Sequence, residues 1–158
     1  MTVAIFPGSF DPIHNGHAEV IERAHKLFDR VVVAVLRNSS KSDPFFASDE
    51  REALINLVCE PFSNVEVVSM STLVVEVAKL VGADVIIRGL RAVSDFEYEL
   101  QMAQMNQQLS GIETLFVPTS ATYSFVSSRL VREVATYGGD VSHFVPFAVA
   151  EAIKERMH

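Results

Sequence analysis

Thr2-Val3-Ala4-Ile5-Phe6, followed after Pro7 by Gly8-Ser9-Phe10-Asp11-Pro12-Ile13-His14-Asn15-Gly16-His17, decides the fold. The first five residues read as a short buried strand. Beyond the loop, Val20, Ile21, Ala24, Leu27 and Phe28 recur at the spacing of an amphipathic helix. His14 and His17 therefore fall where a strand gives way to a helix N-terminus. Unpaired backbone N–H groups and the positive end of the helix dipole gather at such a junction, which favours phosphate. Gly16 is expected to let a ligand approach the backbone, and either imidazole can donate to a phosphoryl oxygen. The pattern points to nucleotide chemistry.

Outward from this loop, strands and helices alternate. Val31-Val32-Val33-Ala34-Val35-Leu36 is a continuous apolar run, as expected for a strand covered on both faces. Ser48 is placed to cap a helix to about Cys59, with Asp49 and Glu50 favouring its first turn. Val65 to Val68 reads as a third strand, and Leu73 to Val81 as a helix ended by Gly82. Asp84 to Arg88 is a fourth strand, followed by a long helix from about Val93 to Leu109. Thr114 to Val117 supplies a fifth strand, and helices over Ser128–Tyr137 and Phe147–Met157 close the chain. The expectation is a Rossmann-like α/β fold: a five-stranded parallel sheet, helices on both faces, right-handed crossovers, one domain over residues 1–158.

Composition narrows the function classes. The net charge of −7 argues against broad binding to nucleic acid or an anionic membrane, so positive charge for an anion must be local. No apolar run reaches the roughly 20 residues of a membrane span, and no secretory signal opens the chain. A single cysteine, Cys59, excludes an internal disulfide and sits in an apolar stretch as a core thiol; a cytoplasmic location is expected.

Ligands of such sheets bind beyond the carboxyl ends of the strands. Those ends carry His14 and His17, then Arg37 to Lys41, then Arg88-Gly89-Leu90-Arg91, then Pro118-Thr119 ahead of Tyr123-Ser124-Phe125-Val126-Ser127-Ser128. Convergence of His17, Lys41, Arg88 and Arg91 would suit a triphosphate and a second phosphate. Neither a glycine-lysine phosphate loop nor a G-x-G-x-x-G fingerprint occurs, which disfavours phosphate-loop hydrolases and common dinucleotide oxidoreductases.

From Ala4 to about Phe147 the chain resembles the bacterial phosphopantetheine adenylyltransferases, nucleotidyltransferases with a His (or Thr)-x-Gly-His signature. The resemblance rests on Pro7 to Pro12, Asn15-Gly16-His17, Ile87 to Arg91, Asp95-Phe96-Glu97-Tyr98-Glu99 and Tyr123 to Ser128. It implies transfer of adenylyl from ATP to 4′-phosphopantetheine, with magnesium, giving dephospho-coenzyme A and pyrophosphate. It implies that His17 contacts the α-phosphate and stabilises the transition state. Ser9 and Phe10 would contact nucleotide, Ser9 also lying near the acceptor phosphate, while Lys41, Val74 and Arg88 would contact phosphopantetheine. Gly89, Leu90, Arg91, Glu99, Tyr123, Ser124, Phe125, Val126, Ser127, Ser128 and Arg129 map to the ATP site. No carboxylate cluster suggests a metal site, so magnesium is expected to ride on the ATP phosphates.

Several positions keep two readings. His14 stands where the family often has threonine, so it either donates to phosphate or serves the helix start. Arg88 could pair with Asp95 or Glu97 instead of substrate. Arg129, where the family commonly has serine, either binds phosphate or faces solvent. Ser127 and Ser128 fit both a helix cap and a triphosphate contact. His25, His143 and His158 fit no catalytic pattern. In the long helix, Phe96, Leu100 and Ala103 form one apolar stripe, and Tyr98, Met102, Met105 and Leu109 a second. The second stripe faces a partner subunit, the pantetheine arm or the monomer's own core; the resemblance implies a homohexamer. A sister nucleotidyltransferase for nicotinamide mononucleotide or glycerol phosphate, and a non-catalytic ATP sensor, are the rival readings.

Overall fold

A computed structural model describes residues 1–37 and 43–158. Five strands and six helices follow in the order β1 (Val3–Gly8), α1 (Asn15–Leu27), β2 (Arg30–Leu36), α2 (Ser48–Cys59), β3 (Val65–Met70), α3 (Val74–Val81), β4 (Val85–Leu90), α4 (Val93–Ser110), β5 (Glu113–Pro118), α5 (Ser128–Thr136) and α6 (Phe147–Met157). All strand pairs are parallel, in the order β3-β2-β1-β4-β5. The chain therefore winds outward from β1 to β3, then crosses back to start again at β4. The carboxyl ends of β1 and β4 flank this reversal, where such sheets open a crevice.

Side chains alternate between two cores, as the strand period demands. Ala4 and Phe6 of β1, and Val31, Val33 and Val35 of β2, face one core, filled by Val20, Ile21 and Ala24 of α1, Leu54 and Ile55 of α2, and Val149 and Ile153 of α6. Val3, Ile5, Val32, Ala34 and Ile86 face the other, against Val77 and Ala78 of α3. With both faces covered, the Val31–Val35 run is fully buried.

Proline explains why the crevice opens. β1 matches six residues with β2 but only Ala4 and Ile5 with β4. The Val3 carbonyl accepts the Asp84 N–H, so alternate residues Val3, Ile5 and Pro7 present their backbone polar groups to β4. Pro7 has no N–H to donate, so the ladder ends there and the strands part. Its carbonyl accepts the Arg88 guanidinium instead, Nη1 to O at 2.5 Å.

The sequence-based boundaries needed several corrections. Strands β1, β3, β4 and β5 run one or two residues further at their carboxyl ends than their apolar patterns suggest, because proline, glycine or serine interrupts each pattern there; β1 starts at Val3, not Thr2. Ser48 is the first helical residue of α2, and Ala47 holds the cap position with no side-chain bond. Leu73 is the N-cap of α3, and Gly82 ends that helix in the left-handed conformation, φ 71°. Leu27 is 71% exposed and Phe28 is already extended, so the buried stripe of α1 stops at Ala24. On α4, Glu99 and Asn106 are the buried positions, whereas Phe96, Tyr98, Leu100, Met102, Met105 and Leu109 stay exposed.

Candidate active site

Between β1 and α1 the chain turns sharply. Phe10 takes a positive φ of 48°, rare for a side chain of its size, and its ring is buried between Phe6 and His17, with centroids 5.3 and 4.8 Å away. The Asp11–Pro12 peptide is cis. The Asp11 carboxylate accepts the N–H groups of Phe45 and Phe46, each at 2.8 Å, and so ties down the segment leading into α2. Asp11→Ala should lower stability by about 1–3 kcal/mol for each buried amide left unpaired. Urea unfolding checks this, with Asp11→Asn expected to fall between wild type and alanine.

Two histidines form a reciprocal cap at the start of α1. His14 is the N-cap, and its Nδ1 accepts the N–H groups of Gly16 (3.0 Å) and His17 (3.4 Å). In return His17 Nδ1 accepts the His14 N–H at 3.1 Å. Each imidazole thus spends Nδ1 as an acceptor, which in a neutral ring places the proton on Nε2. The rings stack at 3.7 Å with planes 24° apart. A Cβ on residue 16 would lie 2.8 Å from His14 Cε1, so the room that glycine leaves is occupied by this ring and not by a ligand.

Burial first, and Arg91 second, lower the His14 pKa to about 4. His17 is held well below 6.5 by burial, then by His14, Arg88 and Arg91. Both rings are therefore neutral near pH 7, and His17 offers an N–H donor, not a cation. A stability effect follows. Between pH 6.5 and about 4 the unfolded chain binds a proton at residue 14 that the folded chain refuses, so stability falls as pH drops through that window. The urea midpoint should decline there less steeply in His14→Asn than in wild type.

From β4 and the turn after it come two arginines, each braced by a carboxylate of α4. Arg88 donates from Nε and Nη2 to Glu99 at 2.9 and 2.8 Å, besides its bond to Pro7. Arg91 donates from Nε and Nη2 to Asp95 at 3.1 and 3.3 Å, and from Nη1 to the Val126 carbonyl at 2.9 Å. Three of five donors are engaged on each arginine, which leaves two N–H groups per fork. The pairing differs from the sequence alternatives: Glu99 holds Arg88, and Asp95 holds Arg91. Both oxygens of Glu99 point to Arg88.

Around this centre lie two clefts. The larger, about 390 Å³, is bordered by Ser9, Val74, Arg88 and Glu99, with Leu36, Leu73, Tyr98 and Met102 among its apolar walls. Asn106 and Thr114 add polar groups to that lining, and the buried Thr114 hydroxyl has no hydrogen-bond partner among the described residues. The smaller cleft, about 180 Å³, is lined by Ser9, Asp11, Arg51, Ser128, Arg129 and Arg132, with Asp43 and Pro44. Ser9 borders both. Ser127 caps α5 by accepting the Leu130 N–H at 3.1 Å, while Ser128 donates to the Pro12 carbonyl at 2.8 Å. These bonds hold the Tyr123–Ser128 segment against the histidine loop. Within it Val126 is buried, Tyr123 and Ser124 are half-buried, and Phe125 is exposed with its ring against Phe144. Arg129 is exposed at the smaller cleft. Leu90 is half-buried; at Gly89 a Cβ would meet Val20 at 3.2 Å, so the glycine lets β4 pack on α1. Lys41 lies outside the described residues.

Sequence reasoning missed Arg51. It reads as a helix-surface charge in Asp-Glu-Arg-Glu, yet it is buried and donates to the carbonyls of Ser9 (2.7 Å), Leu36 (2.9 Å) and Phe46 (3.1 Å). It joins the ends of β1 and β2 to the segment before α2. Arg132, which donates to the Asp11 carbonyl at 2.7 Å, was missed as well. The other histidines have local roles: His25 stacks on Phe62 at 4.3 Å, the His143 carbonyl accepts from Asn15, and His158 is exposed. Cys59 is buried, which pushes its thiol up to about 11 and leaves it unreactive. Among the described residues no group of three or more His, Cys, Asp or Glu is placed to hold a metal. Nor, among them, is any helix long and apolar enough to cross a membrane.

The parallel sheet, the His-x-Gly-His helix start at its switch point and the flanking arginines define a nucleotidyltransferase. Consistently, the cytidylyltransferase-like family model matches residues 5–134. Over 157 residues the chain is 55% identical to a phosphopantetheine adenylyltransferase of Streptomyces coelicolor, covering 99% of this chain and 98% of that protein. An enzyme of the same name from Alkaliphilus metalliredigens is 53% identical, with 99% of each covered. This chain belongs to the phosphopantetheine adenylyltransferase family. A solved structure, a putative nicotinate-nucleotide adenylyltransferase from Vibrio parahaemolyticus, shares the fold with a TM-score of 0.74 at 19% identity, covering 99% and 95% of the two chains. A lipopolysaccharide core biosynthesis protein from Thermoplasma volcanium aligns at a TM-score of 0.55 and 26% identity, over 76% of this chain and 97% of its own.

Proposed function

We propose that the reaction of this chain, adenylyl transfer from ATP to 4′-phosphopantetheine, runs as a single in-line displacement assisted by His17, Arg88 and Arg91. An oxygen of the acceptor phosphate attacks the α-phosphorus of ATP. The bond to the bridging oxygen breaks, and pyrophosphate leaves as dephospho-coenzyme A forms. The nucleophile is already anionic at neutral pH, so no protein base is needed; alignment and charge stabilisation remain. One observation supports this mechanism: at the switch point of the sheet His17 keeps a neutral Nε2–H donor, while Arg88, braced by Glu99, borders a cleft with apolar walls.

The larger cleft fits a phosphate-headed, amide-bearing arm. Arg88 and Ser9 receive the phosphate, the first N–H groups of α3 beside Val74 lie along the arm, and Asn106 and Thr114 offer partners to its amides. ATP lies on the other side of His17, with Phe10, Gly89, Leu90, Arg91 and the Tyr123–Arg129 segment around it. Lys41 contributes a further contact to the acceptor phosphate, as the resemblance implies. Magnesium would enter with ATP and would screen its phosphate charge, since among the described residues the carboxylates Asp95 and Glu99 are already held by arginines. The exposed stripes of α4 are covered in a homohexamer, which a monomeric mass in solution would contradict. The enzyme works in the cytoplasm, in keeping with its lone buried thiol.

Pyrophosphate release from ATP tests the acceptor. It should appear with 4′-phosphopantetheine and stay at background with nicotinamide mononucleotide. Turnover with the second compound alone would overturn the substrate assignment and leave the fold intact.

A further inference from the structure

His14 is spent in ways that a phosphate ligand is not. Its Nδ1 is committed to two backbone N–H groups, and one ring face is covered by His17. Only 4% of the residue is exposed, whereas His17 is half-buried. Gly16 leaves the one gap into which this ring fits, since any Cβ there would sit against it. The four-residue unit is thus built around the His14 ring from three sides: glycine beneath, the helix amides at Nδ1, and the His17 imidazole on its face.

The same contacts decide how His17 is presented. Helix start, ring plane and tautomer are coupled. The cap sets the first turn, the first turn brings His17 Nδ1 onto the His14 N–H at 3.1 Å, and the stack restrains rotation of the ring. Phe10 closes the far side edge-on at 4.8 Å. With Nδ1 accepting, Nε2 must carry the proton. A ring free to turn would bring Cε1 to the place of Nε2, and a ring without the Nδ1 bond would be free to carry its proton on Nδ1; either change removes the N–H donor.

We propose that His14 is a positioning residue for His17, holding it through the cap and the ring stack as the neutral Nε2–H donor, and not a phosphate ligand. The proposal rests on the role given above to His17, but its structural half can be read without turnover. Imidazole ¹⁵N shifts of the unliganded wild-type enzyme should show His17 protonated at Nε2 and unprotonated at Nδ1. His17 found chiefly as the Nδ1–H tautomer would overturn the proposal, whatever the activity.

Two variants separate positioning from ligation. His14→Asn keeps a side-chain oxygen for the Gly16 and His17 amides but removes the ring; His14→Phe keeps a ring but removes the acceptor. In His14→Phe, kcat should fall on the order of 10²-fold, the scale for a misplaced reacting group, with KM for ATP little changed and His17 no longer in a single tautomer. His14→Asn should recover most of that loss and retain the Nε2–H signature. A phosphate ligand gives the opposite result: KM for ATP rises in both variants while the His17 signals stay as in wild type. Loss of activity in His17→Ala is the separate test of the role on which the proposal stands.

Discussion

His17→Ala is expected to keep its fold and to lose on the order of 10²–10³ in kcat, the usual cost of one transition-state donor. The cap at Gly16 and His17 N–H comes from His14, so the truncation costs the helix start only the acceptor for the His14 N–H. What disappears is the N–H proposed to meet the α-phosphate and the wall against which Phe10 and His14 pack. KM for ATP should move far less than kcat, because the donor is used mainly as charge develops. His17→Asn should recover part of the rate where its amide reaches the same point. Steady-state kinetics with circular dichroism on the same samples checks both halves, and a near-normal kcat in the alanine variant would remove His17 from the mechanism.

Arg88→Ala should lower kcat/KM for the acceptor by on the order of 10²–10³, because the substitution does two things. It removes the fork that would receive the acceptor phosphate, and it strips Glu99 of its partner. Glu99 lies nearly buried, with both oxygens on Arg88. Left alone, it puts an uncompensated negative charge where a phosphate dianion must arrive; removing one member of such a pair typically costs about 2–5 kcal/mol. The Pro7 carbonyl, at the point where β1 leaves β4, loses its donor as well. The double variant Arg88→Ala, Glu99→Gln should therefore be better than Arg88→Ala alone. Additive losses would show that Glu99 acts on the substrates independently of Arg88.

Much of this molecule is legible in its sequence where one force dominates. The Val31–Val35 run is a strand covered on both faces, as its short length and β-branched residues favour. The histidine loop is a strand-to-helix junction, as expected, because strand, turn and helix signals follow one another. Legibility fades where proline, glycine or serine interrupts the hydrophobic pattern, as at the strand ends that run on to Gly8, Met70, Leu90 and Pro118. It also fades where tertiary contacts redefine a charge: Arg51 sits among acidic neighbours in sequence yet satisfies three backbone carbonyls from three segments. Pro7 is readable as a ladder-stopper only once β4 is known to lie beside it. Helix α4 offers two apolar stripes and no dominant one, so its buried side, Glu99 and Asn106, follows from the cleft that it borders and not from hydrophobic spacing.

In the proposed mechanism His17 is a hydrogen-bond donor to a single direct displacement and not a nucleophile, since its Nδ1 accepts the His14 N–H and a neutral ring then carries its proton on Nε2. The stereochemical course at the α-phosphorus tests this most directly. With ATP made chiral at that centre by sulfur substitution, one in-line attack by the acceptor phosphate inverts the configuration, and inversion is the result predicted. Retention would require two displacements through an adenylyl-enzyme and would contradict the account.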